Sequence, residues 1–370
     1  MSKNTQFPCQ QCGADLKFAP GTNSLKCPYC GSENEIPAAS RGLTPDDQEH
    51  IRELDYDAYL RNAAPEGEMQ EINTVKCQAC GAETTLPPNT AAAECPFCGT
   101  SIVITTTTTK QITPSALLPF KVTLKEAQEK FQSWVKGLWF APNKLKKTAR
   151  LAEGLKGLYL PHWTYDANTS TNYAGERGEH YYVTEMRTVT RDGKQVTESV
   201  QVQKTRWYPA KGRVHNTFDD VVVPASDSLP RQYTQALEPW DLHALAPYDD
   251  QFLSGFRAES YSVSLQQGFE FAKKIMEPKI EETIRKDIGG DEQRIGRKDT
   301  AYSDITFKHI LLPLWISAYR YNDKIFRFLV NARTGEVQGE RPWSWIKIAF
   351  AVLVGIGIVV GFILLFGNNG

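Results

Sequence analysis

Eight cysteines stand in two sets of four. Cys9 and Cys12 precede Cys27 and Cys30, and Cys77 and Cys80 precede Cys95 and Cys98. Fourteen residues separate the pairs within each set, and the second set repeats the first 68 positions later. Each pair closes on a glycine: Gly13, Gly31, Gly81 and Gly99. In a Cys-x-x-Cys-Gly turn two thiolates point at one ion while the glycine takes the tight backbone conformation beyond them. Two such turns build a closed tetrahedron of sulfurs, a ligand set that selects zinc ahead of iron. The expectation is two structural zinc ions. Four thiolates leave no open position for catalysis, and a redox pair would need a lone Cys-x-x-Cys inside an α/β unit.

Other chemistry-bearing patterns are missing. The chain has no Gly-x-x-x-x-Gly-Lys-Ser/Thr phosphate loop, no Gly-x-Ser-x-Gly, no His-Glu-x-x-His and no dinucleotide fingerprint. The six histidines are scattered, and His162 and His309, near strands, read as packing or hydrogen-bonding residues. Asp219-Asp220 and Asp249-Asp250 lie in loop-like sequence and read as turn chemistry. These absences argue against an enzyme.

The fold class expected is α+β, with two small four-cysteine zinc ribbons, a strand-rich cytoplasmic domain and one C-terminal transmembrane helix. Residues 1–40 form the first ribbon and 73–104 the second, with an acidic helical linker over 41–72. Ribbons of this size cannot bury a stabilising core, so metal binding must supply much of their folding free energy. Leu16, Phe18, Leu25 and Leu86 read as hairpin packing, with Ile36 and residues 102–104 as closing strands. Zinc ribbons often bind nucleic acid, which requires clustered cations. The first ribbon is neutral, the second carries one net negative charge, and the linker has three arginines against nine acidic residues. The 370-residue chain as a whole balances 42 basic against 43 acidic residues, so a polyanionic partner is not expected. In the linker, Thr44-Pro45-Asp46-Asp47 reads as a helix start, with Ile51, Leu54 and Ala58 on one face.

The strand-rich domain is expected over 111–342. Thr123-x-x-Glu126 and Ser264-x-x-Gln267 are capping boxes that open two helices, the second containing Pro278 and stopping at Gly289-Gly290. Short strands are expected around Leu158–Tyr165, Thr184–Thr190, Val196–Trp207 and Val221–Val223, with a hairpin at Asp192-Gly193 and another at Asn322-Asp323. Leu160-Pro161-His162-Trp163 is echoed by Leu312-Pro313-Leu314-Trp315, which suggests two related sheet units. Lys144, Lys146, Lys147 and Arg150 follow Trp139 and Phe140, and a basic cluster beside aromatics can rest on anionic lipid.

The amino terminus has no apolar core that would serve as a signal peptide, so the thiols are expected in a reducing compartment. Residues 346–366 end in nineteen positions without charge, roughly 28 Å of helix. Arg341, Trp343, Trp345 and Lys347 precede them as interfacial anchors, which predicts a single pass through the cytoplasmic membrane with the bulk of the chain in the cytoplasm. Gly357 and Gly361 have the spacing that lets membrane helices pack.

The paired Cys-x-x-Cys-Gly turns, the Leu-Pro-x-Trp segments and the run from Phe328 to Trp345 resemble a family of bacterial zinc-ribbon membrane proteins over most of the chain. Its members are often labelled primosomal protein N′ (replication factor Y). The resemblance implies association with flotillin-like (SPFH) or phage-shock-protein-A-like proteins in envelope-stress membrane complexes. The expected function is a tail-anchored adaptor whose ribbons dock partner proteins, and the alternative is a nucleic-acid-binding zinc-ribbon protein held at the membrane.

Overall fold

In a computed structural model, the residues described are 7–37, 51–62, 69–85, 92–103, 106–142, 154–191, 194–321, 324–341 and 343–366. The helix start at Thr44, the turns at Asp192-Gly193 and Asn322-Asp323, Leu86, and the basic cluster Lys144, Lys146, Lys147 and Arg150 lie outside them.

The first ribbon is a three-stranded antiparallel sheet of β1 (Lys17–Phe18), β2 (Ser24–Lys26) and β3 (Glu33–Glu35). A short strand β4 (Leu54–Asp55) and helix α1 (Tyr56–Asn62) follow. The second ribbon pairs β5 (Met69–Lys76) with β6 (Glu83–Thr85), and β7 (Ala92–Glu94) with β8 (Ser101–Val103). The threonine run forms β9 (Thr106–Ile112), which pairs along β5. The second ribbon's sheet thus reaches beyond 73–104 at both ends.

The body is a duplicated β-α-β-β unit. In the first copy β10 (Ala116–Leu117) leads through α2 (Leu124–Gly137) into β11 (Lys156–Arg191) and β12 (Lys194–Pro224). After a short helix α3 (Arg231–Gln235) and strand β13 (Ala246–Pro247), the second copy runs β14 (Arg257–Ala258), α4 (Leu265–Ile288), β15 (Glu292–Tyr321) and β16 (Lys324–Asn331). The short β17 (Val337–Gly339) pairs with β16. Both capping boxes are formed, at Thr123 and Ser264, and Gly289 closes α4 with φ +67°.

The two copies exchange their parts. Leu160 pairs directly with Leu312, so the two Leu-Pro-x-Trp segments are antiparallel neighbours about a local twofold axis. β10 runs parallel to β15 of the other copy, and β14 parallel to β11. Trp163 Nε1 donates to Val263 O at 3.0 Å, just before α4, and Trp315 Nε1 donates to Val122 O at 2.9 Å, just before α2. Each half completes the other. They form one body.

Alternation along the strands (side chains pointing to opposite faces at successive positions) sorts the core. Tyr159, Leu311, Trp315, Phe328 and Val330 face α2 and the first ribbon. Leu158, Leu160, Leu314, Ile316 and Leu329 face the second ribbon and α3. Further along, Trp163 and Tyr165 pack under α4 beside Phe269 and Ile284. Pro161, Gly175, Gly178 and Gly212 sit inside continuous ladders, so the short strands expected around Leu158–Tyr165, Thr184–Thr190, Val196–Trp207 and Val221–Val223 are parts of two long ones. Beyond Gly178, where β15 starts opposite at Glu292, β11 and β12 continue as a two-stranded arm.

The acidic linker is fastened rather than free. β4 pairs with β15, and Glu53 accepts from Lys308 Nζ at 2.8 Å and Thr306 Oγ1 at 2.8 Å.

One expectation is corrected. Helix α5 spans Trp345–Phe366, but among the described residues no helix is long and apolar enough to cross a membrane. The transmembrane helix over 346–366, and with it the tail-anchored, single-pass placement at the cytoplasmic membrane, is not supported. Lys347, expected at a headgroup boundary, instead donates to Ala141 O at 2.8 Å and Trp139 O at 3.3 Å, and Ser344 N donates to Phe140 O at 2.8 Å. A Cβ added at Gly357 or Gly361 would meet nothing within 4 Å, so no packed helix faces them among the described residues.

Candidate metal centres

All four knuckles have one local geometry. The glycine N–H donates to the carbonyl of the first cysteine: Gly13 to Cys9 (2.8 Å), Gly31 to Cys27 (3.1 Å), Gly81 to Cys77 (2.8 Å) and Gly99 to Cys95 (2.9 Å). The first cysteine N–H in turn donates to Ala14, Ser32, Ala82 or Thr100 O. The four glycines have φ between +69° and +78°, a region that residues with a Cβ enter only at a cost. This explains the Gly after each pair.

The knuckles bring the sulfurs together. Cys9 Sγ lies 3.6 Å from Cys30 and Cys12 Sγ 3.5 Å from Cys27; Cys77–Cys98 and Cys80–Cys95 are both 3.6 Å. Within each set the four ligand atoms all fall within 4.8 Å of one another. Four sulfurs about 2.3 Å from a central zinc would sit about 3.8 Å apart, so both sets fit a tetrahedral four-thiolate ion. Held there, the metal ties two loops into one closed unit. All eight expected ligands are brought together, four and four.

Two supporting hydroxyls are not evident from the cysteine pattern. Ser32 Oγ lies 2.9 Å from Cys9 Sγ and 3.3 Å from Cys30 Sγ. Thr100 Oγ1 lies 3.3 Å from Cys98 Sγ. The Ser32 hydroxyl, with backbone donors, pulls the Cys9 thiol down to about 6; at Cys98, burial opposes, yet the Thr100 side chain and N–H bring the thiol to about 7. Both stabilise the thiolate that a metal needs. The 68-residue repeat contained the signal, because Ser32 and Thr100 are equivalent positions.

No family model matches the chain. A Bacillus subtilis (strain 168) protein, "Uncharacterized protein YdjG", is 24% identical over 345 residues, covering 93% of this chain and 92% of the relative. The likeness covers most of both chains, and the relative's name attaches no activity.

Away from the cysteines, His162, His309, Asp220 and Asp249 have structural partners. His162 and His309 are buried, bonded to Leu160 O and Ile112 O, and burial lowers both to about 4. Asp249 accepts from Gln251 N at the start of a short turn. Asp220, at φ +52°, holds Lys308 at 2.7 Å.

Proposed function

We propose that the protein is a metal-stabilised scaffold that holds out a β-arm to partner proteins. The arm carries this reading. Residues 179–191 and 194–206 pair from end to end with no third strand among the described residues, about 40 Å of two-stranded ribbon. Two strands alone are marginally stable in water, so so long an arm is a surface suited to being covered. It presents Tyr182 and Met186, 63% and 72% exposed. The partner class is the one implied by the resemblance, flotillin-like or phage-shock-protein-A-like proteins. The test places a photo-crosslinking residue at Tyr182 or Met186 in the native cell. Crosslinks to such a protein support the reading, whereas their absence at both positions rejects it.

A second reading has its own observation. Residues 177–213 carry eight basic against four acidic residues, and arginines stack on aromatics at the arm's base. Arg294 lies 3.7 Å from the Trp207 ring centroid and Arg206 4.9 Å from that of Tyr181. Cations interleaved with aromatics suit single-stranded nucleic acid. A gel-shift titration with single-stranded DNA or RNA decides: steeply salt-dependent binding favours this reading.

A further inference from the structure

The two ribbons share one repeat but dock in opposite senses. Phe97, inside the second Cys-x-x-Cys of ribbon 2, is fully buried among Leu158, Leu160, Leu314 and Leu329, and its carbonyl accepts Arg327 Nε at 2.8 Å. Tyr29 occupies the same repeat position in ribbon 1 and is 83% exposed. Ribbon 2 therefore docks knuckle-first, and ribbon 1 docks by its hairpin with the knuckles outward. The cysteines follow: Cys77, Cys95 and Cys98 are buried and Cys80 half-buried, whereas Cys12 and Cys30 are exposed.

We propose that the centre of ribbon 1 is an exchangeable metal site, open to small soluble chelating ligands with nitrogen, oxygen or sulfur donors, while that of ribbon 2 is closed. This rests on reading both four-cysteine sets as metal centres. An incoming ligand displaces thiolates one at a time, each new donor–metal bond forming as a metal–sulfur bond breaks and the freed thiolate takes a proton. Such stepwise exchange needs an approach to the ion. In ribbon 1 the exposed Cys12 and Cys30 supply one. In ribbon 2 the approach requires undocking, which would uncover Phe97 and the leucines beneath it.

Ribbon 1 can also be emptied without unfolding. Phe18, Leu25 and Ile36 are buried in the body, with Phe18 5.3 Å from Phe252 in an edge-on ring contact. Backbone bonds fasten the hairpin independently of the sulfurs: Phe18 N to Ser254 O (2.9 Å), Gly21 N to Phe120 O (3.0 Å), and Ser254 Oγ to Leu16 O (2.5 Å). An ion lost from ribbon 1 leaves a preformed place to return to.

The test uses the full chain loaded with zinc, its content measured first by native mass spectrometry. 4-(2-Pyridylazo)resorcinol is then added and transfer followed by absorbance, with N-ethylmaleimide marking freed cysteines. One equivalent should transfer at least tenfold faster than the other, with labels on Cys9, Cys12, Cys27 and Cys30 and an unchanged near-ultraviolet circular dichroism spectrum. Phe97→Leu, which loosens the docking of ribbon 2, should speed only the slow phase. Equal rates, early labelling of Cys77–Cys98, or loss of tertiary signal in the fast phase would overturn the proposal. Fewer than two bound ions would instead overturn the reading of the sites as metal centres.

Discussion

At Glu259 burial and charge oppose each other. It lies at the seam between the body and ribbon 2, bridging to Thr84 of β6, and is 4% exposed. Ser226 Oγ donates to its Oε1 at 2.6 Å, while Oε2 has no hydrogen-bond partner among the described residues. Burial raises the carboxyl to about 7, against the hydroxyls of Ser226 and Ser228, with the charges of Glu83 and Asp227 adding to the rise. The folded state therefore holds this proton more tightly than the unfolded chain. The resulting stability is fully present below about pH 4.3, is lost as pH rises towards 7, and changes no further above it. Glu259→Gln should abolish that slope. Urea unfolding should find the variant more stable than the parent at pH 8, by on the order of 3 kcal/mol, and equal to it near pH 4.5. Equal gaps at both pH values would rule out a protonated Glu259. A second residue tests packing: a Cβ at Gly268 would stand 2.3 Å from Tyr165 Oη and 2.8 Å from Trp163 Cδ1. Gly268→Ala should cost about 1–3 kcal/mol in the same assay.

At the scale of elements, the exchanged halves make a symmetric prediction. The indoles of Trp163 and Trp315 each donate to the carbonyl ahead of the other half's helix. Trp163→Phe and Trp315→Phe should each cost about 1–3 kcal/mol, because each leaves an inner carbonyl without its donor. The two losses should be similar in urea midpoint; a loss at only one site would deny that the halves are equivalent. The local part of this arrangement was legible in the sequence. Both capping boxes lie where Thr123–Glu126 and Ser264–Gln267 place them, and the Leu-Pro-x-Trp echo marks the duplication. What was not legible is non-local. The strand expected around Leu158–Tyr165 does not stop at Tyr165, because pairing to β15 carries the ladder on past Gly175, with a register shift there. Leu54 reads as one face of a helix but lies in β4, because a free sheet edge at Thr306 and Phe307 offers it a ladder.

At the scale of the molecule, the ribbons are the two lids of one sheet. The eight ligands could be read from spacing alone, since a metal site needs only residues a few positions apart. The docking could not, since Tyr29 and Phe97 hold the same place in the repeat and meet opposite surroundings. Stability should follow the docking. Five apolar side chains of the sheet, Leu158, Leu160, Leu314, Ile316 and Leu329, lie in the core shared with ribbon 2. At roughly 1.5–3 kcal/mol for each side chain returned to water, uncovering them costs on the order of 10 kcal/mol, as much as a typical domain's whole stability. A fragment of residues 113–341 would keep every strand of the duplicated body and still fail to form a packed core. Expressed beside the full chain, it should bind a hydrophobic dye strongly and lose the sharp thermal transition. A cooperative transition with the dye excluded would mean that the body is independent of its ribbons and that the metal centres are appendages to it. If the fragment fails as expected, removing the ion from ribbon 2 should destabilise the entire sheet, which ties the chemistry of four sulfurs to the integrity of the arm carried by β11 and β12.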